Sequence, residues 1–331
     1  WILEIGPWNT PVDFFVGRKR PCHLIYLYKN EFINTFMNNI IFSLYIDIPE
    51  NELDYQPPHY GSKISKTLHT KQQLKKYYDW LKEMQVNYAK SIGVKYILFE
   101  YDDEYKSYHK WFKETYPQIT SYNIVNFYKL KKLHDLVETH DNVLYLDFDV
   151  VPISKINFFN CNDLSKGIHI LTGTTESQKP VVTDDGIVKD AKRNHSIRSP
   201  TAKYWNARAL CLNEDIFGDY TVYNTGIIGV NKFFLDKLKY FKSFNIMIEK
   251  MDNLIKNNDM FPEYIRNLFA YDNETIWAYK TLKHEVETIK LNSDWHHFMD
   301  KWNYIPHTVN FVHTINKNFE YVKNYYEKNR I

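Results

Sequence analysis

The sequence has few cysteines, almost no net charge and no long hydrophobic run, and each of these shortages excludes a class of protein. Its three cysteines, Cys22, Cys161 and Cys211, are unevenly spaced, which excludes a disulfide framework and a four-cysteine zinc site. The 42 basic and 40 acidic residues leave a net charge of +2. Such a balance argues against a protein that coats duplex nucleic acid, because affinity for phosphates comes from a basic excess.

Hydrophobic runs are short throughout the chain. A helix that spans a bilayer needs about 18 or more consecutive apolar residues. The nearest approach to this, at 33–48, is broken by three asparagines and Asp47. We therefore expect no membrane span. The first residue is Trp1, with neither an initiator methionine nor a basic-then-apolar leader. We interpret the chain as trimmed, favour the cytoplasm, and leave open an N-terminal anchor that was removed.

The residues that the sequence does contain are typical of a folded protein. Hydrophobic residues make up 44% and charged residues 25%, which is a globular rather than a disordered composition. The length of 331 residues suits one large domain or two modest ones. Aromatic residues reach 17%. This excess either reflects AT-rich coding or serves flat ligands such as bases and sugar rings.

Apolar periodicity predicts that strands and helices alternate in the first half of the chain. The predicted strands cover 22–28, 95–100 and 143–148, the last ended by Pro152. The predicted helices cover 70–92, 105–115 and 126–139, and Gly93 fits the end of the first one. This alternation is typical of a parallel or mostly parallel sheet covered by helices.

The second half of the chain is less regular. Residues 160–222 are polar in places, and we expect them to form loops and short elements that cover a site, or an insertion that binds an acceptor. A strand at 223–230, helices at 232–255 and 274–282, and a late strand at 308–312 complete the pattern. No repeat or low-complexity linker divides the sequence, so we predict one α/β domain over 1–331.

The strongest chemical signal is the run LYLDFDVVP at 144–152. A hydrophobic strand ends here in Asp147 and Asp149, and residues two apart in an extended segment point the same way. In open α/β sheets, ligands bind beyond the carboxyl ends of the strands. Two carboxylates in that place suit Mg²⁺ or Mn²⁺, which proteins hold with one or two carboxylates while substrate phosphates complete the coordination.

These residues resemble the Asp-x-Asp motif of glycosyltransferases with the A-type fold, in particular the retaining, family-8-like enzymes. The helix and turn before the motif are similar to that group, as are the Asn-x-Gly strand at 223–231 and the His-containing segment at 311–317. The pieces occur in order over most of 22–320. The resemblance implies a Rossmann-like A-type domain, whose central, mostly parallel mixed sheet is flanked by helices.

The resemblance also implies a metal site. Asp149 would bind the metal, Asp147 would bind the metal or the ribose and sugar hydroxyls, and His313 would be the third ligand. Neutral imidazole is indeed a good ligand for Mn²⁺-type ions. Lys317 would neutralise the diphosphate. The family has a glycine three residues after the histidine and a lysine six after, whereas Asn316 and Lys317 stand three and four after, so the phosphate contacts stay open.

Further candidates come from the same resemblance, and each has a plain structural alternative. Lys129 and Lys132 share one helix face, which would meet either the nucleotide-sugar or solvent. Asn224 and Gly226 would line the donor sugar or acceptor pocket, although a glycine in a strand also marks a bulge. The two lysines and Gly226 are therefore candidates for binding the nucleotide-sugar, and Asn224 is a candidate for the catalytic pocket between donor and acceptor.

Other candidates lie nearer the reacting centre or beside a ring. Asp272 and Glu274 resemble by position the acidic pair near that centre, but Asp272 is equally a good N-cap. Tyr26 and Tyr28 are placed to border a nucleobase or to pack in the core. Trp205 and Trp295 are further candidates for contact with a base or a sugar ring. The run WHH at 295–297 is an acceptor platform or a second metal pair, and adjacent histidines that point apart disfavour the metal pair.

The sequence thus predicts an enzyme that uses Mn²⁺ or Mg²⁺ to move a sugar from a nucleoside diphosphate carrier, by family frequency UDP. The acceptor would be the hydroxyl of a glycan, a protein or a small molecule. The resemblance implies retention. Inversion would need a carboxylate base, for which the candidates are Asp272, Glu274, Asp184 and Asp185. The alternatives are a haloacid-dehalogenase-like phosphatase that uses Asp147 and Asp149, and a non-catalytic sugar-binding relative.

Overall fold

The computed structural model describes residues 37–54, 65–173, 180–182, 188–190, 210–211, 214–216, 222–256, 271–299 and 303–329, and these belong to one compact unit within 37–331. The predicted strand at 22–28, with Tyr26 and Tyr28, lies outside the described residues. So do Asp184, Asp185 and Trp205. The prediction of one domain over 1–331 stays a prediction.

The strands and helices follow one another in a mixed order. The strands are β1 (Asn39–Tyr45), β2 (Lys95–Glu100), β3 (Asn142–Leu146), β4 (Val150–Pro152), β5 (Ile168–Gly173), β6 (Pro180–Val182), β7 (Val188–Asp190), β8 (Val222–Asn231), β9 (Thr288–Lys290), β10 (His297–Phe298) and β11 (Phe311–His313). The helices are α1 (Lys66–Lys76), α2 (Tyr78–Ser91), α3 (Asp103–Thr115), α4 (Ser121–Val137), α5 (Phe158–Cys161), α6 (Lys232–Leu238), α7 (Phe244–Lys256), α8 (Asn273–Lys283) and α9 (Phe319–Asn329).

A six-stranded mixed sheet forms the centre of the molecule, with the strand order β2-β1-β3-β8-β5-β9. The pairs β1–β2, β1–β3 and β5–β9 are parallel, whereas β8 is antiparallel to both of its neighbours. Alternate residues of β1 enter different core clusters, since Ile40 and Phe42 pack with α3 and α4 while Ile41 packs with Tyr88 of α2. Helices therefore cover both faces, and the predicted mostly parallel mixed sheet flanked by helices is confirmed.

The ends of the helices follow local sequence chemistry. Asp102 accepts a 2.8 Å hydrogen bond from the backbone N–H of Tyr105 and so caps α3, and Thr120 caps α4 through Asn123. Gly93, with a φ of +69°, lies directly beyond α2. Glycine adopts this left-handed conformation without the usual steric cost. The helix end that the sequence predicts at Gly93 is thus confirmed.

Two predicted helices are each two helices in the structure. The predicted helix at 70–92 is interrupted at Tyr77, whose buried ring packs 5.5 Å from that of Phe319. The predicted helix at 232–255 is interrupted after α6, where Lys239 has a left-handed φ of +50°. Tertiary packing and one residue with positive φ set these breaks, and neither disturbs the apolar periodicity of the sequence.

Several strands lie where the sequence predicted none, among them β1 and β5 of the central sheet. The run at 33–48 contains β1, which is buried between β2 and β3 although asparagine opens it. Residues 160–222, predicted as loops or an insertion, contribute β5 to the central sheet and the β6–β7 hairpin. The strand β5 belongs to the central sheet because its partners β8 and β9 come from distant parts of the chain, and the role of 160–222 as an insertion or as loops on the acceptor side stays a prediction.

A second sheet begins where the acidic motif ends. The strand predicted at 143–148 stops at Leu146, and β4 pairs instead with β11 in a three-stranded sheet of order β10-β11-β4. The antiparallel pairing sets Val150 opposite His313. The segment 147–149 therefore connects two sheets, and it brings β11 to the end of β3.

Aromatic side chains fill much of the interior. Tyr105, Phe112, Phe127 and Tyr128 are each fully buried between α3 and α4, and the rings of Phe112 and Phe127 stack 5.3 Å apart. The aromatic excess of the sequence is thus used largely for packing. In the part of the chain that the structure describes, no helix has the length and apolar character needed to cross a bilayer.

Candidate metal and catalytic site

The backbone of the turn between β3 and β4 is held in place by hydrogen bonds with Gly226 and with the side chain of Gln85. The N–H of Asp147 donates to the carbonyl of Gly226 at 2.7 Å. The side chain of Gln85, which is fully buried, donates to the carbonyls of Asp147 and Val150 at 3.1 and 2.9 Å. Its amide oxygen accepts from the hydroxyls of Ser43 and Tyr96. Gln85 thus fixes the turn that carries the acidic pair, and no local pattern in the sequence marks this residue.

The pairing of β4 with β11 brings His313 to the acidic pair. The N–H of Thr314 donates to the carbonyl of Asp149 at 3.0 Å, which ties the end of β11 to the motif. Nε2 of His313 lies 3.4 Å from a carboxylate oxygen of Asp149 and 3.8 Å from one of Asp147. The three residues named from the sequence as metal ligands are therefore brought together.

The donor set suits a divalent cation. One ligand atom from each of Asp147, Asp149 and His313 lies within 4.8 Å of the other two. Asp149 and His313 are buried, and the side chain of Asp147 is 28% exposed, so the group opens on one side. Two carboxylates and an imidazole are ligands that Mn²⁺ accepts readily, and Mg²⁺ uses carboxylates. These residues fit the metal that the sequence implies.

Asp149 is buried yet stays ionised. Burial alone would raise its pKa, but the positive charge of Lys317 and the contact with His313 lower the pKa of Asp149 well below its usual range. Lys317, which is partly buried, forms an ion pair with Asp149. Burial opposes the charged form of Lys317, but the charge of Asp149 raises its pKa overall. The pair places a cation directly beside the proposed metal ligand.

A tight turn after β11 allows Lys317 to reach the carboxylate. The N–H of Lys317 donates to the carbonyl of Thr314 at 3.0 Å, and Lys317 has a left-handed φ of +58°. The lysine that follows His313 by four residues thereby contacts Asp149. This geometry explains how a lysine at the shorter spacing enters the cluster.

Asp147 has its own set of partners. The hydroxyl of Tyr145 donates to its Oδ1 at 2.5 Å, and Nζ of Lys129 lies 3.4 Å from the same oxygen. Lys129 also donates to the carbonyl of Thr225 at 3.1 Å. Burial, and then the charge of Asp147, raises the pKa of the Tyr145 hydroxyl, which therefore remains a donor. Tyr145 was not predicted, although its position two residues before Asp147 places both on one side of the strand.

The two lysines predicted to share a face of α4 are both buried, but they have different partners. Lys129 enters the carboxylate cluster. Lys132 forms an ion pair with Glu104 of α3, and its Nζ lies 4.7 Å from the centre of the Phe99 ring. The structure thus brings Lys129 to Asp147 and leaves Lys132 between α3 and α4.

Asn224 and Gly226 lie on β8 beside the cluster. The side-chain oxygen of Asn224 accepts a 3.0 Å hydrogen bond from the N–H of Gly226. A Cβ atom on Gly226 would lie 2.8 Å from Nδ1 of His313 and 2.9 Å from Oδ1 of Asn224. The position requires glycine because β8 and the His313 ring approach each other so closely.

The N-terminus of α8 packs against the same part of β8. Asp272 accepts hydrogen bonds from the N–H and the hydroxyl of Thr275, at 2.9 and 2.6 Å, so it caps the helix as the structural alternative expects. A carboxylate oxygen of Glu274 accepts from the N–H of Thr225 at 3.1 Å, and Asn273 donates to the Thr225 hydroxyl at 2.7 Å. These contacts join α8 to the residue between Asn224 and Gly226.

The run at 295–297 does not form an acceptor platform. Trp295 is buried, with its ring 5.2 Å from those of Phe158 and Phe311, so the expectation of a ring available to a ligand is wrong. The two histidines point apart, as predicted. His297 contacts the carbonyl of Tyr304 at 2.6 Å, whereas Nε2 of His296 lies 2.9 Å from Nδ1 of His313.

Comparison with solved structures returns glycosyltransferases. The chain is similar to a glycosyltransferase involved in the glycosylation of the major capsid of PBCV-1, with 14% identity and a TM-score of 0.39 over 88% of this chain and 98% of that one. It is similar to galactosyltransferase LgtC in complex with donor and acceptor sugar analogues, with 12% identity and a TM-score of 0.39 over 84% and 87%. It is also similar to mouse xyloside xylosyltransferase 1, with 11% identity and a TM-score of 0.36 over 67% and 76%.

No protein-family model and no curated protein matches the sequence. The solved structures named above belong to the enzyme class that the sequence motifs resemble. Their identities to this chain are 14% or less, and their TM-scores are below 0.40. The residues around Asp147, Asp149 and His313 must carry the functional assignment.

Proposed function

We propose that the protein is a metal-dependent glycosyltransferase that moves a sugar from a nucleoside diphosphate sugar to an acceptor hydroxyl. The observation that carries this proposal is the group of Asp147, Asp149 and His313 at the carboxyl end of β3, with a lysine paired to each carboxylate. Ligands of open α/β sheets bind at this end of the strands. A divalent cation and the two lysines together outweigh the two carboxylates, so the loaded site would be positive, as the binding of a diphosphate requires.

The proposed roles divide between holding the cation and binding the diphosphate. Asp147, Asp149 and His313 would hold Mn²⁺ or Mg²⁺. When bound, such an ion supplies Lewis-acid stabilisation of the charge that develops on a phosphate leaving group. The side opened by the partial exposure of Asp147 is where the diphosphate would approach.

Lys317 and Lys129 would add positive charge to the same leaving group. The ammonium group of Lys129 contacts Asp147, and that of Lys317 contacts Asp149. A lysine side chain offers three hydrogen-bond donors at the end of a flexible stem. A short movement of either stem would direct a donor to a phosphate oxygen. Charge-assisted hydrogen bonds of this kind are roughly twice as strong as those between neutral groups.

The transfer itself breaks the bond between the anomeric carbon and the diphosphate oxygen and forms a bond to the acceptor oxygen, whose proton is released. Asn224 and Gly226 border the metal group and would contact the donor sugar or the acceptor. Glu274 lies behind them on Thr225. We further propose UDP as the carrier, a glycan, protein or small-molecule hydroxyl as the acceptor, and retention of configuration, all from the motif resemblance.

Titration calorimetry with UDP and GDP tests the proposal. Wild-type protein should bind a nucleotide in Mn²⁺ and not in excess EDTA, and Asp149→Asn should lose this binding. Asp236→Asn is the matched control, because Asp236 is an exposed aspartate on α6. This helix follows the end of β8 that pairs with the start of β3, so it lies at the opposite end of β3 from Asp147. Equal nucleotide binding in Mn²⁺, in EDTA and in Asp149→Asn would exclude the metal-dependent function.

A panel of nucleotide-sugars then distinguishes a glycosyltransferase from a phosphatase and from a non-catalytic, sugar-binding protein. Slow donor hydrolysis in Mn²⁺, measured by release of the nucleoside diphosphate, is expected for at least one sugar. Turnover of an aryl phosphate without donor hydrolysis would favour the phosphatase instead. Donor binding with no hydrolysis and no transfer to any acceptor would favour the non-catalytic, sugar-binding relative.

A further inference from the structure

A second histidine lies directly behind the proposed metal ligand. Nε2 of His296 is 2.9 Å from Nδ1 of His313, and the two ring centres are 5.1 Å apart. His296 is 2% exposed, so water does not compete for this contact. His296 directly precedes β10, and His313 lies on β11. One ring nitrogen of His313 faces His296, and the other faces the carboxylates.

The positions of the two nitrogens of His313 determine which of them carries the proton when His313 binds a metal. A ligating imidazole uses the lone pair of one nitrogen and carries its proton on the other. Since Nε2 of His313 faces Asp147 and Asp149, its Nδ1 must carry the proton and donate it. The acceptor for that hydrogen bond is Nε2 of His296.

The remaining contacts of His313 restrict the orientation of its ring. Gly226 lies against Cε1 and Nδ1, and the ring of Phe298 lies 5.4 Å away. The N–H of Met299 donates to the carbonyl of His313 at 3.0 Å. Neighbours therefore hold the backbone and one ring face of His313, whereas the hydrogen-bond partner of its Nδ1 is His296.

The other nitrogen of His296 supports the same interpretation. Within the described part of the chain, the buried Nδ1 of His296 has no hydrogen-bond partner. A buried polar group without a partner is unfavourable for folding. A histidine therefore occupies this core position at some cost to stability, whereas a leucine would carry no such cost. A hydrogen bond from His313 to Nε2 of His296 explains why a histidine occupies this position.

We propose that His296 is a positioning residue, which accepts the Nδ1 proton of His313 and so presents an unprotonated Nε2 to the metal. The inference rests on the proposed metal-dependent function, because it assigns a tautomer to one of the three proposed ligands. His296 touches neither the metal nor the substrate and acts through His313. Histidine ligands of metals generally have such a partner, and its loss lowers metal affinity or activity about 10–100-fold.

Mn²⁺ affinity of the nucleotide-free protein, measured by calorimetry, tests the assignment. His296→Leu removes the acceptor and should weaken Mn²⁺ binding about 10–100-fold. His296→Gln keeps an acceptor on a side chain of similar length and should bind Mn²⁺ nearly as tightly as wild type. His297→Leu is the control, because the described hydrogen bond of the His297 ring goes to the carbonyl of Tyr304 and not to a proposed metal ligand, and the Mn²⁺ affinity of this variant should be unchanged.

Long-range ¹H–¹⁵N spectra of wild-type protein with Mg²⁺ provide a second test, because they report which nitrogen of His313 carries the proton, and they need no variant. They should show His313 protonated on Nδ1. Wild-type Mn²⁺ affinity in a folded His296→Leu protein, or a His313 protonated on Nε2, would overturn the inference. If wild type binds no Mn²⁺ at all, the proposed function fails instead, so the two failures are distinguishable.

Discussion

Gly226 on β8 and His313 on β11 approach so closely that no side chain can stand between them. A Cβ atom added to Gly226 would lie 2.8 Å from Nδ1 of His313, which is closer than real Cβ contacts allow. The same Gly226 carbonyl accepts the N–H of Asp147 at 2.7 Å. One glycine therefore sets the position of the acidic pair and the position of the histidine.

Gly226→Ala should disrupt this arrangement by pushing the His313 ring away from the carboxylates. We expect Mn²⁺-dependent nucleotide binding to fall about tenfold or more, as for other changes that misplace a metal ligand. Gly93→Ala is the control, because nothing lies within 4 Å of its Cβ position and its φ is +69°. That change should lower the free energy of unfolding by about 1 kcal/mol without an effect on binding. Unchanged binding in Gly226→Ala would show that the ring can move without consequence.

Lys129 and Lys132 provide a second matched comparison. Both are buried lysines on α4, but only Lys129 contacts Asp147. Lys129→Met should weaken binding of the diphosphate nucleotide by about tenfold, since a hydrogen bond to a charged group contributes roughly 1.5–3 kcal/mol. Lys132→Met should retain wild-type affinity. Equal losses in the two variants, measured by calorimetry in Mn²⁺, would indicate a general effect of a buried methionine on α4.

Lys280 on α8 should give the protein a pH-dependent stability that is unrelated to the metal site. Burial, and then the charge of neighbouring lysines, lowers the pKa of Lys280 to about 8. The pKa of a lysine in an unfolded chain is about 10.4. The protonated group therefore opposes folding below pH 8, and this penalty disappears as the pH rises from about 8 to about 10.4.

Lys280→Met should remove that pH dependence. With allowance for screening by solvent, we expect the variant to be more stable than wild type by about 1 kcal/mol at pH 7, and the difference to shrink as the pH approaches 10. Urea unfolding at several pH values measures it. Lys166→Met, at an exposed lysine, is the control and should show no trend. A difference between Lys280→Met and wild type that is constant with pH would exclude the titration of Lys280 as its cause.

The elements that the sequence predicted best are those in which local chemistry is sufficient. The end of α2 at Gly93 and the cap of α8 at Asp272 follow from single residues and their neighbours. The strand β2 has the predicted bounds, because its apolar run at 96–99 is bounded by the charged Lys95 and Glu100 and is followed by the N-cap Asp102. By contrast, β1 and β5 were missed, since polar residues begin or surround them and only pairing with remote strands makes them strands.

The residues that support the site were harder to predict than those that form it. Asp147, Asp149 and His313 lie in recognisable motifs. Gln85 and His296 do not, because each acts through a hydrogen bond to a residue of another segment, 62 and 17 positions away along the chain. A buried polar side chain becomes visible as functional only when its partner is known.

By itself, the sequence determined a mixed α/β protein with two carboxylates at the end of a buried strand, since apolar periodicity and residue type are local properties. The tertiary structure decided which side chains meet those carboxylates. The pairing of β4 with β11 brings in His313 and Lys317, and the packing of α4 brings in Lys129 rather than Lys132. Partner choice depends on strand register and helix rotation, which are set by contacts between separate segments of the chain, as between Asp149 and His313.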